Sequence, residues 1–222
     1  MARPLALGVL LSGSGTNLQA LIDAIAAGRL DARIAVVVSN LPEAHGLTRA
    51  RTHGLPAAVL SHRDFASREA FDARLVEILR KHGVELVALA GFMRLVTRVL
   101  LDAFPGRVLN IHPALLPAFP GLHAERQALE HGARITGVTV HFVDEQADHG
   151  PILLQAAVPV FTDDTEQSLH NRVQRQEHRL YPLAIQLIAE GRVRIEGRRV
   201  LINDAPTRPD AALANPEPDD VR

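Results

Sequence analysis

The sequence predicts an α/β fold: a mostly parallel central sheet with helices on both faces, extended by late strands. Three observations lead there. Short uninterrupted apolar runs such as Leu5–Leu11 and Ile34–Val38 have the pattern of strands buried on both faces. Segments with apolar residues at helical spacing alternate with those runs. The second half changes character, with longer alternating segments at Thr136–Val143 and Ile152–Val160 joined by the polar loop Asp144–Pro151, as in a hairpin added to the sheet.

In chain order, Leu5–Leu11 is the first strand and runs into the cluster Ser12-Gly13-Ser14-Gly15. Leu18, Leu21, Ile22 and Ile25 then fall on one helical face, and Gly28 stops the helix. Ile34–Val38 is a β-branched second strand. Glu43 to His53 has helical potential and ends at Gly54, and Ala57–Leu60 reads as a short strand. Phe71, Leu75, Ile78 and Leu79 line a helix closed by Gly83. Leu86–Ala90 and, after a short helical link, Val108–Ile111 are further buried strands. A long helix is expected from about Thr165 to Ala189, with Leu180, Leu183, Ala184, Leu187 and Ile188 as its buried stripe. Val193–Ile195 and Val200–Ile202 suit a small hairpin around Gly197. The expected organisation is one domain over residues 1–202. Residues 203–222, with Pro206, Pro209, Pro216 and Pro218 and little apolar content, are expected to be a disordered tail.

Composition narrows the function. The 222 residues carry 24 basic and 25 acidic side chains, a formal net charge of −1 that lacks the footprint of a nucleic-acid binder. There is no cysteine, which removes disulfides, thiolate metal sites and cysteine nucleophiles. Lys81 is the only lysine and sits in a polar segment, which argues against a catalytic lysine. No apolar run approaches the ~20 residues that cross a bilayer, and the start has no signal-peptide pattern. A cytoplasmic protein, monomer or homodimer, acting on small molecules without membrane or nucleic acid is the expectation.

Three motifs carry possible chemistry. The Gly-rich Ser12–Asn17 stretch joins the first strand to the first helix, where free N–H groups and the helix dipole favour an anion such as phosphate. A plain turn capped by Thr16 or Asn17 is the alternative. A dinucleotide fingerprint is excluded because Leu18 stands where Gly is required, and no Gly-Lys-Ser/Thr completes a P-loop. Asn110-Ile111-His112-Pro113 lies at the carboxyl end of a strand, with Asn110 and His112 on the same side. A carboxamide donor beside an imidazole suits acyl-type chemistry, though for a lone pair of this kind a polar strand end with a hydrogen-bonded histidine is the favoured reading. Asp148 lies in the loop between the late strands and would orient an imidazole, or occupy an ordinary turn. No metal-ligand spacing and no Gly-x-Ser-x-Gly is present, so no metal is expected; His141 alternates with core residues and faces either the sheet surface or a site.

Together the segments resemble the folate-dependent phosphoribosylglycinamide formyltransferases. The resemblance rests on Ser12-Gly13-Ser14-Gly15-Thr16-Asn17-Leu18-Gln19-Ala20, Ser67-Arg68-Glu69-Ala70, and Leu89-Ala90-Gly91-Phe92-Met93-Arg94. It continues through Asn110 to Pro117, Pro120-Gly121-Leu122-His123, Gly137 to Val143, Asp148-His149-Gly150-Pro151, and Val173 to His178. Their order and spacing run over about residues 5–195. The resemblance implies transfer of a formyl group from 10-formyltetrahydrofolate to the amine of glycinamide ribonucleotide. It implies Asn110, His112 and Asp148 as the catalytic trio, and Gly15, Thr16 and Asn17 as the substrate-phosphate loop. It assigns Gln174, Arg175, Gln176 and Glu177 to the substrate, with Glu177 on the ribose. Arg68, Met93, Arg94, Leu95, Val96, Asn110, Asp144, Glu145, Gln146, Ala147 and Asp148 fall to the folate side.

On that resemblance Asn110 donates to the oxygen that gains charge, His112 supplies charge and a proton, and Asp148 holds His112 and favours its charged form. The chain departs from the family pattern at His149, where Gly is usual, and at Ala147, where a larger aliphatic is usual. Ala114 and Ala118 also replace polar residues. Two other readings use the same residues: a formyl-folate hydrolase, which would cleave the folate without an amine, and a phosphate-binding module without turnover, in which the trio would not converge.

Overall fold

The first strand, β1 (Leu5–Leu11), sets the pattern of the parallel half. In this computed structural model, which describes residues 3–204, Leu7, Val9 and Leu11 enter one core while Ala6 and Leu10 enter the other. Alternation along the strand divides them between the two faces. Gly8 lies where α3 packs closely on the strand: a Cβ there would stand 2.6 Å from Leu79 Cδ2.

The remaining elements are α1 (Thr16–Ala26), β2 (Ala32–Ser39), α2 (His45–Thr52), β3 (Ala57–Val59), α3 (Arg68–Lys81), β4 (Leu86–Leu89) and α4 (Arg98–Ala103). They continue with β5 (Val108–His112), α5 (Ala124–Glu130), β6 (Ile135–Phe142), β7 (Ile152–Pro159), α6 (Glu166–Ala189), β8 (Val193–Glu196) and β9 (Arg199–Ile202). The main sheet has seven strands in the order β3-β2-β1-β4-β5-β6-β7, and β8 and β9 form a separate two-stranded sheet. β3 through β5 in that order are parallel, and the β5–β6 and β6–β7 pairs are antiparallel. α1, α2 and α6 cover one face with Leu18, Leu21, Leu47, Val173 and Ile185. α3 and α4 cover the other with Phe71, Leu75, Leu79 and Leu100. This is the α/β architecture expected from the sequence.

Most elements fall within two or three residues of their expected limits. The β6 alternation is shifted by one residue, from Thr136–Val143 to Ile135–Phe142. α5 was not expected, because its seven residues form too short a segment for helical periodicity to register. Residues 205–222, most of the expected tail, lie outside the described residues, whereas Asn203 and Asp204 close β9 in a turn.

α6 ties the two halves together. Its start is fixed by reciprocal capping: Thr165 Oγ1 accepts from Ser168 N at 3.1 Å, and Ser168 Oγ accepts from Thr165 N at 3.0 Å. Asp164, just before the cap, accepts two hydrogen bonds from Arg172 at 2.6 and 3.0 Å. Deeper in the core, the Tyr181 hydroxyl lies 2.9 Å from Leu89 O and 3.0 Å from Leu109 O, bridging the ends of β4 and the middle of β5. No helix among the described residues is long and apolar enough to cross a membrane.

Candidate active site

The strand order reverses direction between β1 and β4, and open α/β sheets bind ligands outside the carboxyl ends of strands at such a switch point. The loops after β1, β4 and β5 all emerge there. Ser12 binds the first two together: its N–H donates to Gly91 O at 2.9 Å, and its Oγ accepts from Met93 N at 2.8 Å. The same hydroxyl donates to Asn40 Oδ1 at 2.6 Å.

The Ser12–Asn17 turn is shaped by Gly15. Its φ of 71° is left-handed, and a Cβ would lie 2.5 Å from Gly46 Cα, so only glycine fits. Gly15 is also the N-cap of α1, and no side chain caps the helix. Neither Thr16 nor Asn17 takes the capping role, so the first-turn N–H groups stay available to an anion. Gln174 and Glu177 reach this loop from the same face of α6. Gln174 Nε2 lies 3.3 Å from Thr16 Oγ1, and Asn17 Nδ2 donates to Glu177 Oε2 at 3.1 Å. Asn17 Oδ1 is buried without a partner. Burial pushes the Glu177 carboxyl above the usual range, with the Asn17 hydrogen bond opposing. Arg175 is exposed, and Gln176 accepts from Arg179 at 3.0 Å; neither is bonded to the loop.

The second cluster is assembled by register. Antiparallel pairing sets Asn110 opposite His141 and His112 opposite Thr139. Asn110 Nδ2 is 3.2 Å from His141 Nε2 and 3.4 Å from Asp148 Oδ1. His141 Nδ1 lies 3.0 Å from Phe142 O; a carbonyl only accepts, so this nitrogen carries a hydrogen. His112 Nε2 donates to Phe119 O at 2.8 Å, and its Nδ1 lies 3.5 Å from Asp148 Oδ2. Gly121 N donates to that same oxygen at 2.8 Å, the tightest contact of the carboxylate. Burial resists ionisation of Asp148, but the His141 imidazole 3.8 Å away, the Gly121 N–H and His112 outweigh it, and its carboxyl lies below the usual range.

The loop after β6 is braced on both sides. Gln146 N donates to Asp144 Oδ1 at 2.9 Å, and His149 Nδ1 lies 2.9 Å from Asp144 Oδ2. Arg198, between β8 and β9, donates to His149 O at 2.7 Å. Asp148 itself has a positive φ of 52°, which aims its carboxylate back toward β5.

A cleft of about 390 Å³ opens beside this cluster. Its walls are Phe92, Met93, Leu95 and Val96 on one side and residues 144–148 on the other, with Asn110, His112 and Asp148 between them. Met93, Leu95 and Leu122 are apolar yet 63%, 57% and 67% exposed along it. Arg94 also borders the cleft, its guanidinium 4.9 Å from the Phe71 ring centre. Arg68 stands exposed at the start of α3 and is not among the residues lining the cleft.

His141 was not among the residues singled out for the site. Alternation left its side undetermined; the missing information was the β5–β6 register, which places it beside Asn110 with 1% of its surface exposed.

Comparison with known proteins agrees with this architecture. The formyl transferase family pattern matches residues 6–185. The chain is 46% identical to the phosphoribosylglycinamide formyltransferase of Escherichia coli over 187 residues, covering 84% of this chain and 88% of that protein. It is 49% identical over 185 residues to the trifunctional purine biosynthetic protein adenosine-3 of Drosophila melanogaster, covering 82% of this chain but only 14% of that longer protein. The crystal structure of glycinamide ribonucleotide transformylase 1 from Symbiobacterium toebii superposes with a TM-score of 0.89 at 56% identity, covering 91% of this chain and 95% of that one. With the match spanning most of its length, the chain belongs to the formyl transferase family.

Proposed function

We propose that the chain transfers the formyl group of 10-formyltetrahydrofolate to the amine of glycinamide ribonucleotide, a step of purine biosynthesis. One observation carries the reading: a carboxamide and an imidazole from β5 meet a carboxylate from the loop after β6 in an apolar-walled cleft, on the side of the sheet where the uncapped Gly-rich loop emerges. The relatives' names specify formyl transfer to the same acceptor.

The residues present fit a folate. Exposed Met93 and Leu95 offer contact to a flat ring, and the backbone of 144–148 offers polar groups to its edge. When bound, the folate supplies an activated formyl carbon. On the acceptor side, the N–H groups of Thr16 and Asn17 with Gln174 hold the phosphate. Glu177 and the unpaired Asn17 Oδ1 hold the ribose hydroxyls.

Asn110 turns one amide hydrogen from His141 or Asp148 to the formyl oxygen as negative charge builds there; one such donor is worth roughly 3 kcal/mol. In the proposed step the amine nitrogen bonds to the formyl carbon, the bond from that carbon to the folate nitrogen breaks, and the proton lost by the amine goes to the departing nitrogen, with His112 relaying it. Asp148, ionised at neutral pH, balances His112 and keeps it in place. Gly121 fixes Asp148 in turn.

The test is an assay of purified protein with both substrates. Formylated ribonucleotide is expected, with His112→Ala lowering kcat at least 100-fold at an unchanged thermal midpoint. Turnover within a few-fold of the unsubstituted protein would remove His112 from the mechanism. Cleavage of the folate at full rate without any amine would replace transfer by hydrolysis.

A further inference from the structure

A second polar pair borders the acceptor side of the site. His170 on α6 lies one turn before Gln174, and its Nδ1 is 2.8 Å from Glu125 Oε1 on α5. Glu125 is almost wholly covered, its side chain 9% exposed, whereas His170 is 43% exposed. A buried carboxylate therefore grips one edge of an imidazole whose other edge is closed by nothing but the Gln174 amide. That edge faces the Ser12–Asn17 loop: His170 Nε2 is 3.2 Å from Gln174 Nε2, and the same amide nitrogen is 3.3 Å from Thr16 Oγ1. The imidazole and the Thr16 hydroxyl thus flank one amide, a span that a tetrahedral phosphate with its hydrogen bonds can bridge.

The loop offers an anion N–H groups, a hydroxyl and an amide, but no formal positive charge of its own. Of the charged groups around His170 and the loop, the Glu125 and Glu177 carboxylates do not suit a phosphate, His178 lies further along α6, and the Arg49 guanidinium beside the loop is taken up by Ser14 O at 2.9 Å and Gln19 Oε1 at 3.2 Å. His170 is the group of this set that has both an edge facing the loop and the capacity for positive charge.

We propose that His170 is a further ligand of the substrate phosphate, positioned by Glu125. Protonated on both nitrogens, it donates from Nδ1 to Glu125 and from Nε2 to a phosphate oxygen. Gln174 then releases His170 Nε2 and turns its amide to the same phosphate. The inference rests on the reading of Ser12–Asn17 as a phosphate loop.

The experiment compares glycinamide ribonucleotide with its dephosphorylated ribonucleoside, using the full chain, His170→Ala, His170→Arg and Glu125→Gln, with inorganic phosphate as competing anion. Expected is a roughly tenfold rise in KM for the ribonucleotide in His170→Ala, weaker inhibition by phosphate, and ribonucleoside and folate KM values within twofold. Glu125→Gln shifts the ribonucleotide KM in the same direction by less, and His170→Arg restores part of the loss. An unchanged ribonucleotide KM, or equal rises for ribonucleotide and ribonucleoside, overturns the role of His170 alone. If the unsubstituted chain fails to distinguish the two acceptors, the phosphate-loop reading falls and the inference with it.

Discussion

The two halves of the site are built differently. On the parallel side, between β1 and α1, recognition is made of backbone: a left-handed glycine, an uncapped helix start and the N–H groups that follow. That backbone part comes from six consecutive residues, and Gln174 and Glu177 of α6 add side chains beside it. On the antiparallel side, between β5 and the loop after β6, chemistry is made of side chains drawn from Asn110, His112, His141 and Asp148. None of those contacts exists until β6 pairs with β5 in one register, since a slip by one residue would turn His141 to the other face. A backbone site tolerates side-chain change and fails by local strain; a register-built site tolerates local change and fails when one functional group is removed.

Substitutions test that contrast. Asn110→Ala should have the largest effect, a 100- to 1,000-fold loss in kcat with little change in either KM. A loss under tenfold in steady-state assays would break the view that the antiparallel side carries the chemistry. Next is Asp164→Ala, which removes the Arg172 pair at the head of α6 and is expected to cost roughly 3 kcal/mol in urea unfolding. The Arg172 hydrogen bonds hold the Asp164 carboxyl well below its usual range. A carboxyl depressed by folding stabilises the native state above its unfolded pKa, roughly 3.9, and that stabilisation is lost as pH falls through the lower folded value. The unsubstituted chain should therefore lose stability steeply below about pH 4, and Asp164→Ala should flatten that limb.

Gly15→Ala is expected to cost roughly 1–2 kcal/mol for the left-handed φ alone. Because its Cβ would press on Gly46 Cα, the KM for the ribonucleotide should rise while kcat holds. A change confined to the folate KM would contradict the division of the two sides. Arg198→Ala has the smallest expected effect. It frees His149 from the terminal hairpin at an exposed contact, so the folate KM should rise about two- to threefold, under 1 kcal/mol.

The same division explains what was legible in the sequence. β1, β2 and β4 are visible because parallel strands covered on both faces are written as continuous apolar runs. The Ser12–Asn17 loop is legible because glycines and a helix start are local signals. The trio is identifiable through the resemblance to a family; the residues alone read Asn110-x-His112 as an ordinary strand end. His141 was not legible, since its role depends on a partner 31 residues away. α5 escaped for a related reason: its N-cap is His123 at a φ of 58° with no side-chain cap, so no start signal precedes it. His149, one of the two departures in that loop, is held by Asp144 and Arg198.

The hydroxyl of Tyr181 has a consequence for substrate choice. It anchors the helix bearing Gln174 and Glu177 to Leu89 and Leu109, and Leu109 is the immediate neighbour of Asn110. The place where an acceptor's far end is gripped and the place where its amine must react are thereby set at a fixed interval, like the jaws of a locked caliper. An acceptor one bond too short would be held firmly at one end and never touch the carbon it should attack.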